Sequence, residues 1–447
     1  MNTPICDFVR DYAQKKPLRL HMPGHKGKGN LGIEMLDITE IEGADSLYDA
    51  QSIIAESEKN ASDLFGCQTL YSTEGCSQCI RAMLFLAAQW AKKQGKQPRI
   101  AAARNVHKTF ISAAAMLDLD VLWLCPEENA SYLSCSITAD GLEKALSQAT
   151  PLPTAVYLTS PDYLGNMADI SALSAVCRRY GVLLLVDNAH GAYLRFLQPS
   201  RHPADLGADL CCDSAHKTLP ALTGGAYLHI ARQDISKEEA KQALALFGST
   251  SPSYLILQSL DSVNAYLAHA CRKKLADFLD AVTAWKARLQ AHGYRLQEQE
   301  PLKLTIAAKP YGYTGTELSQ LLQKQNVFCE FSDPDYLVMM LTPEMEHVQL
   351  KQLENILCAI PPKAPILQSP PCFAPPSQAM SIREAVFSPQ EEIPAENAKG
   401  RILAQSSVGC PPAVPIAVCG QTIDDQAIEA FLYYGIQTIT VVKGENL

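Results

Sequence analysis

Short apolar runs and helix-like stretches alternate along residues 55–230, and this alternation limits the fold more than any other feature of the 447-residue chain. Ile100–Val106, Val121–Cys125, Ala155–Thr159, Val182–Asp187, Leu210–Ser214 and Gly225–Ile230 read as strands. Ala55–Phe65, Cys76–Lys93, Ala139–Ser147 and Ile170–Tyr180 read as the helices among them. Strands joined through helices need crossover connections, which build a largely parallel sheet covered on both faces. Val182–Val186 reads VLLLV, with no polar position on either side, as a central strand of such a sheet requires. The expectation is an α/β protein.

Beyond Ser251 the pattern changes. Tyr254–Ala270 and Lys273–Gln290 read as long helices, and Leu302–Ala307, Val327–Phe331 and Tyr336–Leu341 as strands of a smaller unit. Prolines at 361, 362, 365, 370, 371, 375 and 376 exclude helix and central strand, so this stretch is an extended connector. A helix at Asp424–Tyr434 and a strand at Gln437–Val442 follow. The expected organisation is an amino-terminal segment (1–54), a large ligand-binding domain (55–270), a small α/β domain (271–360), the connector (361–376) and a carboxy-terminal domain (377–447). Thirty-eight basic against 47 acidic side chains leave a net charge of −9, which argues against nucleic acid or an anionic membrane as the main partner. Met1–Lys16 lacks the apolar core of a secretory signal, and no apolar run approaches the roughly 18 residues of a membrane span. With those features, fifteen cysteines suggest reduced thiols in the cytoplasm rather than a disulfide framework.

In open parallel sheets ligands bind beyond the carboxyl ends of the strands. Those ends carry Thr73-Glu74-Gly75-Cys76 after an apparent strand at Thr69–Ser72, then His107-Lys108-Thr109, Asp187-Asn188-Ala189-His190-Gly191 and Ser214-Ala215-His216-Lys217-Thr218. Taken singly, each has an ordinary explanation. Thr73–Cys76 reads as a helix cap, Asp187 as a strand end, His107 and His190 as rim or core histidines, and Lys217 as a solvated lysine. Taken together they supply what pyridoxal 5′-phosphate needs. A lysine attaches to its aldehyde, a carboxylate keeps its ring nitrogen protonated, a hydroxyl-rich helix start binds its phosphate, and a flat side chain covers its ring.

The order of these segments resembles the Orn/Lys/Arg decarboxylase family in its short form. His21-Met22-Pro23-Gly24-His25-Lys26, Gly43-Ala44-Asp45-Ser46-Leu47, Ser249-Thr250-Ser251-Pro252-Ser253-Tyr254, Ala379-Met380-Ser381 with Arg383-Glu384-Ala385, and Cys410–Pro415 are similar to further family motifs. The resemblance covers nearly the whole chain. It implies the PLP-dependent transferase fold type I, like that of aspartate aminotransferase. The central sheet would be mostly parallel with helices on both faces, beside a smaller α/β carboxy-terminal domain. It also implies a cytoplasmic homodimer or higher homo-oligomer in polyamine metabolism that decarboxylates a basic amino acid. By the same resemblance Lys217 is the Schiff-base lysine, Asp187 pairs with the ring nitrogen, and His107 stacks on the ring. Ser214, His216 and the loop Ser72, Thr73, Glu74, Gly75 and Cys76 hold the phosphate. His190 lies near the cofactor's phenolic oxygen or the substrate, and Ser249 or Thr250 reaches the neighbouring subunit's phosphate.

Several positions depart from the family pattern. Tyr71-Ser72-Thr73-Glu74 stands where glycine-threonine-threonine-serine is usual, and a glutamate beside a phosphate is unfavourable unless it points away. Asn188 replaces a glutamate, Tyr193 a histidine, Gly224 a glutamine, and Cys419-Gly420-Gln421 loses a carboxylate. The cationic end of a basic substrate needs an acid. Asp45, Glu42, Glu330 and Asp333 are candidates, each with the alternative reading of a solvated loop acid; Glu330 is favoured because Phe328-Cys329-Glu330 resembles a family segment of similar pattern. Cys76-Ser77-Gln78-Cys79 lacks the second pair that a zinc site needs, so these read as packing cysteines and no metal is expected. Two other functions stay open: another fold-type-I activity such as an aminotransferase or lyase, and a cofactor-binding relative without decarboxylase activity.

Overall fold

The computed structural model describes residues 1–126, 132, 135–297, 299–409 and 415–444. The strands of the main sheet are β1 (Gln68–Ser72), β2 (Arg99–Ala103), β3 (Asp120–Leu124), β4 (Ala155–Thr159), β5 (Leu183–Asp187), β6 (Leu210–Asp213) and β7 (Ala226–Ile230). The chain divides into two units, Met1–Trp90 with Leu183–Ala276, and Ala91–Val182 with Asp277–Leu447.

The first unit holds β1, β7, β6 and β5, hydrogen-bonded in that order. β5 and β6 are parallel, and β7 runs against both β6 and β1. Every residue of β5, β6 and β7 is buried, as strands covered on both faces must be. The helix Ile53–Phe65 packs on β1. Tyr254–Tyr266 continues through one π turn, Leu267–Cys271, into Arg272–His292. The two long helices expected from sequence are thus joined. No glycine or proline lies between residues 254 and 292 to end the first helix, and the π turn absorbs the change of phase.

The second unit holds β4, β2 and β3, all parallel. A separate antiparallel sheet has the order β10-β11-β9-β8, built from β8 (Arg295–Gln297), β9 (Lys303–Ala307), β10 (Phe331–Ser332) and β11 (Tyr336–Met340). The strand expected at Val327–Phe331 shrinks to Phe331–Ser332. Its first residues close the helix Gly315–Gln323 instead: Asn326 takes φ +57°, and the Val327 N–H donates to the Leu322 carbonyl at 3.0 Å. The residues from 361 to 376 carry neither helix nor strand, in keeping with their prolines. The last segment contains β12 (Gln390–Pro394), β13 (Ser407–Gly409), β14 (Pro415–Val418) and β15 (Thr438–Val442), paired β12 with β15 and β13 with β14. Leu403, Ile416, Phe431, Ile439 and Val441 belong to its core. No helix among the described residues is long and apolar enough to cross a membrane.

Candidate active site

β5 and β6 deliver the reactive groups of the first unit from their carboxyl ends. Asp187 closes β5 and is 3% exposed. Its Oδ1 accepts from the Ala189 N–H at 3.2 Å and from the Cys212 thiol at 3.8 Å. Ser214 follows β6 and starts the short helix Ala215–Thr218. Lys217 on that helix places Nζ 3.1 Å from His190 Nε2, a distance that suits an ammonium donating to a neutral imidazole. The ring Nδ1 and the backbone N–H of His216 both reach the Gly225 carbonyl, at 2.9 and 3.3 Å. Nδ1 therefore carries the proton of that ring. Burial lowers the His216 pKa; the Gly225 carbonyl opposes this and the Lys217 charge adds to it.

The loop after β1 meets the same region. Ser72 Oγ accepts from the Glu74 N–H at 3.1 Å and lies 2.6 Å from Gln78 Oε1. The helix Gly75–Lys93 begins next, and its Gly75 N–H donates to the Gly224 carbonyl at 2.8 Å. Gly224 has φ +99°, and a Cβ there would stand 2.9 Å from the Thr73 carbonyl oxygen, so the close approach requires glycine. Gly224–Gly225 thereby ties the Ser72–Cys76 loop to the helix of Lys217. Thr73 and Cys76 are buried, while Glu74 is exposed and turned aside, with Oε1 accepting the Ser249 N–H. Thr250, next to it, is exposed. Tyr254 ends this motif and donates its hydroxyl to the carbonyls of Ala44 and Asp45, at 3.1 and 2.6 Å.

The four candidate substrate acids have distinct settings. Asp45 (φ +74°) accepts backbone N–H bonds from Ser46, Gln51, Ser52, Ile54 and Ala55 and so caps the helix Ile53–Phe65. Burial favours its protonated form, but those amides outweigh it and the pKa is lowered. Glu42 is exposed in the same unit. In the second unit Glu330 is exposed and accepts from the Tyr163 hydroxyl at 2.7 Å. Asp333 is 2% exposed, holds the turn amides of Asp335 and Tyr336, and is pushed up to about 6, chiefly by burial.

His107 also belongs to the second unit. Its ring nitrogen accepts from the Thr109 N–H at 3.2 Å and caps the helix Lys108–Leu117. β2 itself stops at Ala103, short of the Val106 expected from sequence. Arg383, from the Ala379–Ala385 motif, caps the far end of that helix at the Ala115 and Met116 carbonyls. Gln421 is 2% exposed and accepts from the buried guanidinium of Arg104 at 2.7 Å. Without a carboxylate there, burial lowers the Arg104 pKa to about 10. Residues 410–414 of the Cys410–Pro415 motif lie outside the described residues.

Two groupings were missed from sequence. His202 and His229 each place Nε2 3.0 Å from Asp213 Oδ2, all three fully buried, and Asn188 donates to the other Asp213 oxygen at 2.6 Å. The Ala204 N–H donates to His202 Nδ1, so Nε2 of that ring bears the proton. Cys76, Asp187 and Cys212 bring their ligand atoms within 4.8 Å of one another. A β5–β6 register pairs Asp187 with Cys212, the start of the helix Gly75–Lys93 adds Cys76, and neither approach is encoded in residues so far apart in the chain.

The sequence pattern described as Orn/Lys/Arg decarboxylase, major domain, matches residues 3–305. An arginine decarboxylase of Bacillus subtilis is 27% identical, covering 99% of this chain and 95% of its own. One from Halalkalibacterium halodurans is 26% identical, covering 95% and 91%. The fold is similar to that of Francisella novicida lysine decarboxylase, with a TM-score of 0.81 at 16% identity over 99% of this chain and 81% of that one. The α/β architecture with a mostly parallel main sheet thus agrees with fold-type-I enzymes. The chain belongs to the Orn/Lys/Arg decarboxylase family, amino-acid decarboxylases that use pyridoxal 5′-phosphate.

Proposed function

We propose that this protein decarboxylates arginine, lysine or ornithine to the corresponding amine with pyridoxal 5′-phosphate held at Lys217. The observation that carries the reading is the Lys217–His190 contact at 3.1 Å, at the same strand ends as the buried carboxylate of Asp187. These residues fit the cofactor: an amine for its aldehyde, an acid for its ring nitrogen, and hydroxyl and amide groups of Ser72, Thr73, Cys76 and Ser214 for its phosphate. When bound, the cofactor supplies an electron sink for the pair left on the α-carbon as carbon dioxide departs. Asp187 holds a proton at the ring nitrogen. His190 exchanges a proton with Lys217 Nζ. His216 stays neutral and orients the phosphate end through Gly225. His107, fixed as a helix cap within the second unit, is the residue to which the family resemblance gives the ring face.

For the cationic end of the substrate we favour Glu330. Its carboxylate is exposed and oriented by Tyr163, whereas Asp45 already serves five backbone amides. We also propose a cytoplasmic location, resting on the sequence reading, and a homodimer, supported by the exposure of Leu18 (86%), Leu20 (85%) and Leu31 (80%) around the His21–Lys26 motif. Thr250 would then serve the neighbouring phosphate. The test is incubation of the cofactor-loaded protein with arginine, lysine and ornithine, with detection of amines and carbon dioxide. A keto acid instead would make it an aminotransferase, and no product from any of the three would leave a cofactor-binding relative. Neutralising Glu330 should raise KM for the preferred substrate; an unaltered KM removes that assignment.

A further inference from the structure

We infer that Glu74 is a resident anion at the phosphate end of the cofactor site and weakens the protein's hold on the cofactor through its phosphate. The inference rests on the cofactor reading above. Glu74 immediately precedes the 19-residue helix Gly75–Lys93, whose first-turn N–H groups form a positive end that attracts anions. A carboxylate is therefore covalently attached at the rim of the loop proposed to receive the phosphate. Nearby donors are already engaged inside the chain. The Glu74 N–H bonds to Ser72 Oγ at 3.1 Å, and the Gly75 N–H to the Gly224 carbonyl at 2.8 Å.

The carboxylate itself reaches across to the Ser249 N–H and so ties down the segment that continues into Thr250. Glu74 thus acts twice on the phosphate end. It places a like charge at the rim of the receiving loop, and it occupies a backbone donor of the segment proposed to serve the neighbouring subunit's phosphate. Because Glu74 is exposed, solvent screens this repulsion, so the penalty is moderate and the site remains usable.

Glu74→Gln keeps the shape and an oxygen for the Ser249 amide but removes the charge. Apo-protein titrated with pyridoxal 5′-phosphate, followed at the absorbance of the lysine-linked cofactor near about 420 nm, should show Kd falling by about tenfold in this variant. Pyridoxal, which lacks the phosphate, should bind both proteins alike, and inorganic phosphate should compete more strongly with the cofactor in the variant. Glu74→Ala, lacking the tether as well, should share the gain. An unchanged or weaker cofactor Kd in Glu74→Gln overturns the inference, as does equal tightening for pyridoxal. If the wild-type protein gives no lysine-linked absorbance with either compound, the cofactor reading itself falls, and this inference with it.

Discussion

Lys217 and Asp187 are separable by what each loses. Lys217→Ala should bind cofactor without the absorbance near about 420 nm that a lysine linkage gives; an unchanged spectrum would sink its role. Asp187→Ala should keep much of the cofactor yet lose about a hundredfold or more in turnover, because it stabilises charge that develops only during reaction. Turnover near wild type would refute that. Asp213 makes a different prediction. Burial pushes its pKa up, but His202 and His229 outweigh burial and hold it well below the usual carboxylate range, while burial lowers that of His229. Both shifts act in one direction. The unfolded chain protonates His229 below about pH 6.5 and Asp213 below about pH 4, before the folded protein does, so stability falls as pH drops through that range. Asp213→Asn should cost about 3 kcal/mol near pH 7 and flatten the acid side of a urea-midpoint profile; an unaltered profile would show the cluster to be idle. The contrast shows what sequence carries at this scale. Lys217, Asp187 and His190 stand in short linear motifs at strand ends. His229 meets Asp213 through the pairing of β6 with β7, His202 reaches it from the segment before β6, and nothing in their spacing announces it.

Among the elements, β5 was legible because five buried positions in a row leave no alternative to a covered strand. The helix Lys108–Leu117 was not, for its KTFISAAAML sequence has no polar stripe and its cap is a histidine. Val327–Phe331 misled in the opposite way, since apolar residues that close a helix look locally like a strand. Asp45 shows how one side chain sets an element. It was singled out as a substrate acid, yet its two oxygens accept from five amides at the start of Ile53–Phe65. Asp45→Ala should therefore destabilise the protein by about 2 kcal/mol, read as a lower urea midpoint. Its lowered pKa adds that the contribution is complete above about pH 4 and is lost as pH falls further. If the variant instead keeps its midpoint and loses affinity for a basic amino acid, Asp45 is a substrate residue after all.

At the scale of the whole molecule, the sequence's acidity and its lack of a spanning helix say little about assembly. The exposed apolar side chains say more. Leu18, Leu20 and Leu31 flank a segment whose polar groups are already used within the chain: Arg19 donates to the carbonyls of Glu34, Met35 and Asp37, and His25 lies 3.2 Å from an Asp37 oxygen. The backbone is thus held in place while leucines face outward, an arrangement that loses free energy in water unless another surface covers them. A second copy is the cover that the proposed exchange of Thr250 requires. Leu18→Glu with Leu20→Glu should halve the mass seen by light scattering without changing the far-ultraviolet circular dichroism. Because each site would lose the neighbour's Thr250, the monomer should also bind cofactor more weakly than wild type. A wild-type protein that runs as a single chain at micromolar concentration would refute the dimer. A variant that stays dimeric would move the interface away from residues 18–31. If the variant is monomeric yet keeps full cofactor affinity, each chain completes its own phosphate site, and Thr250 has no part in its neighbour's.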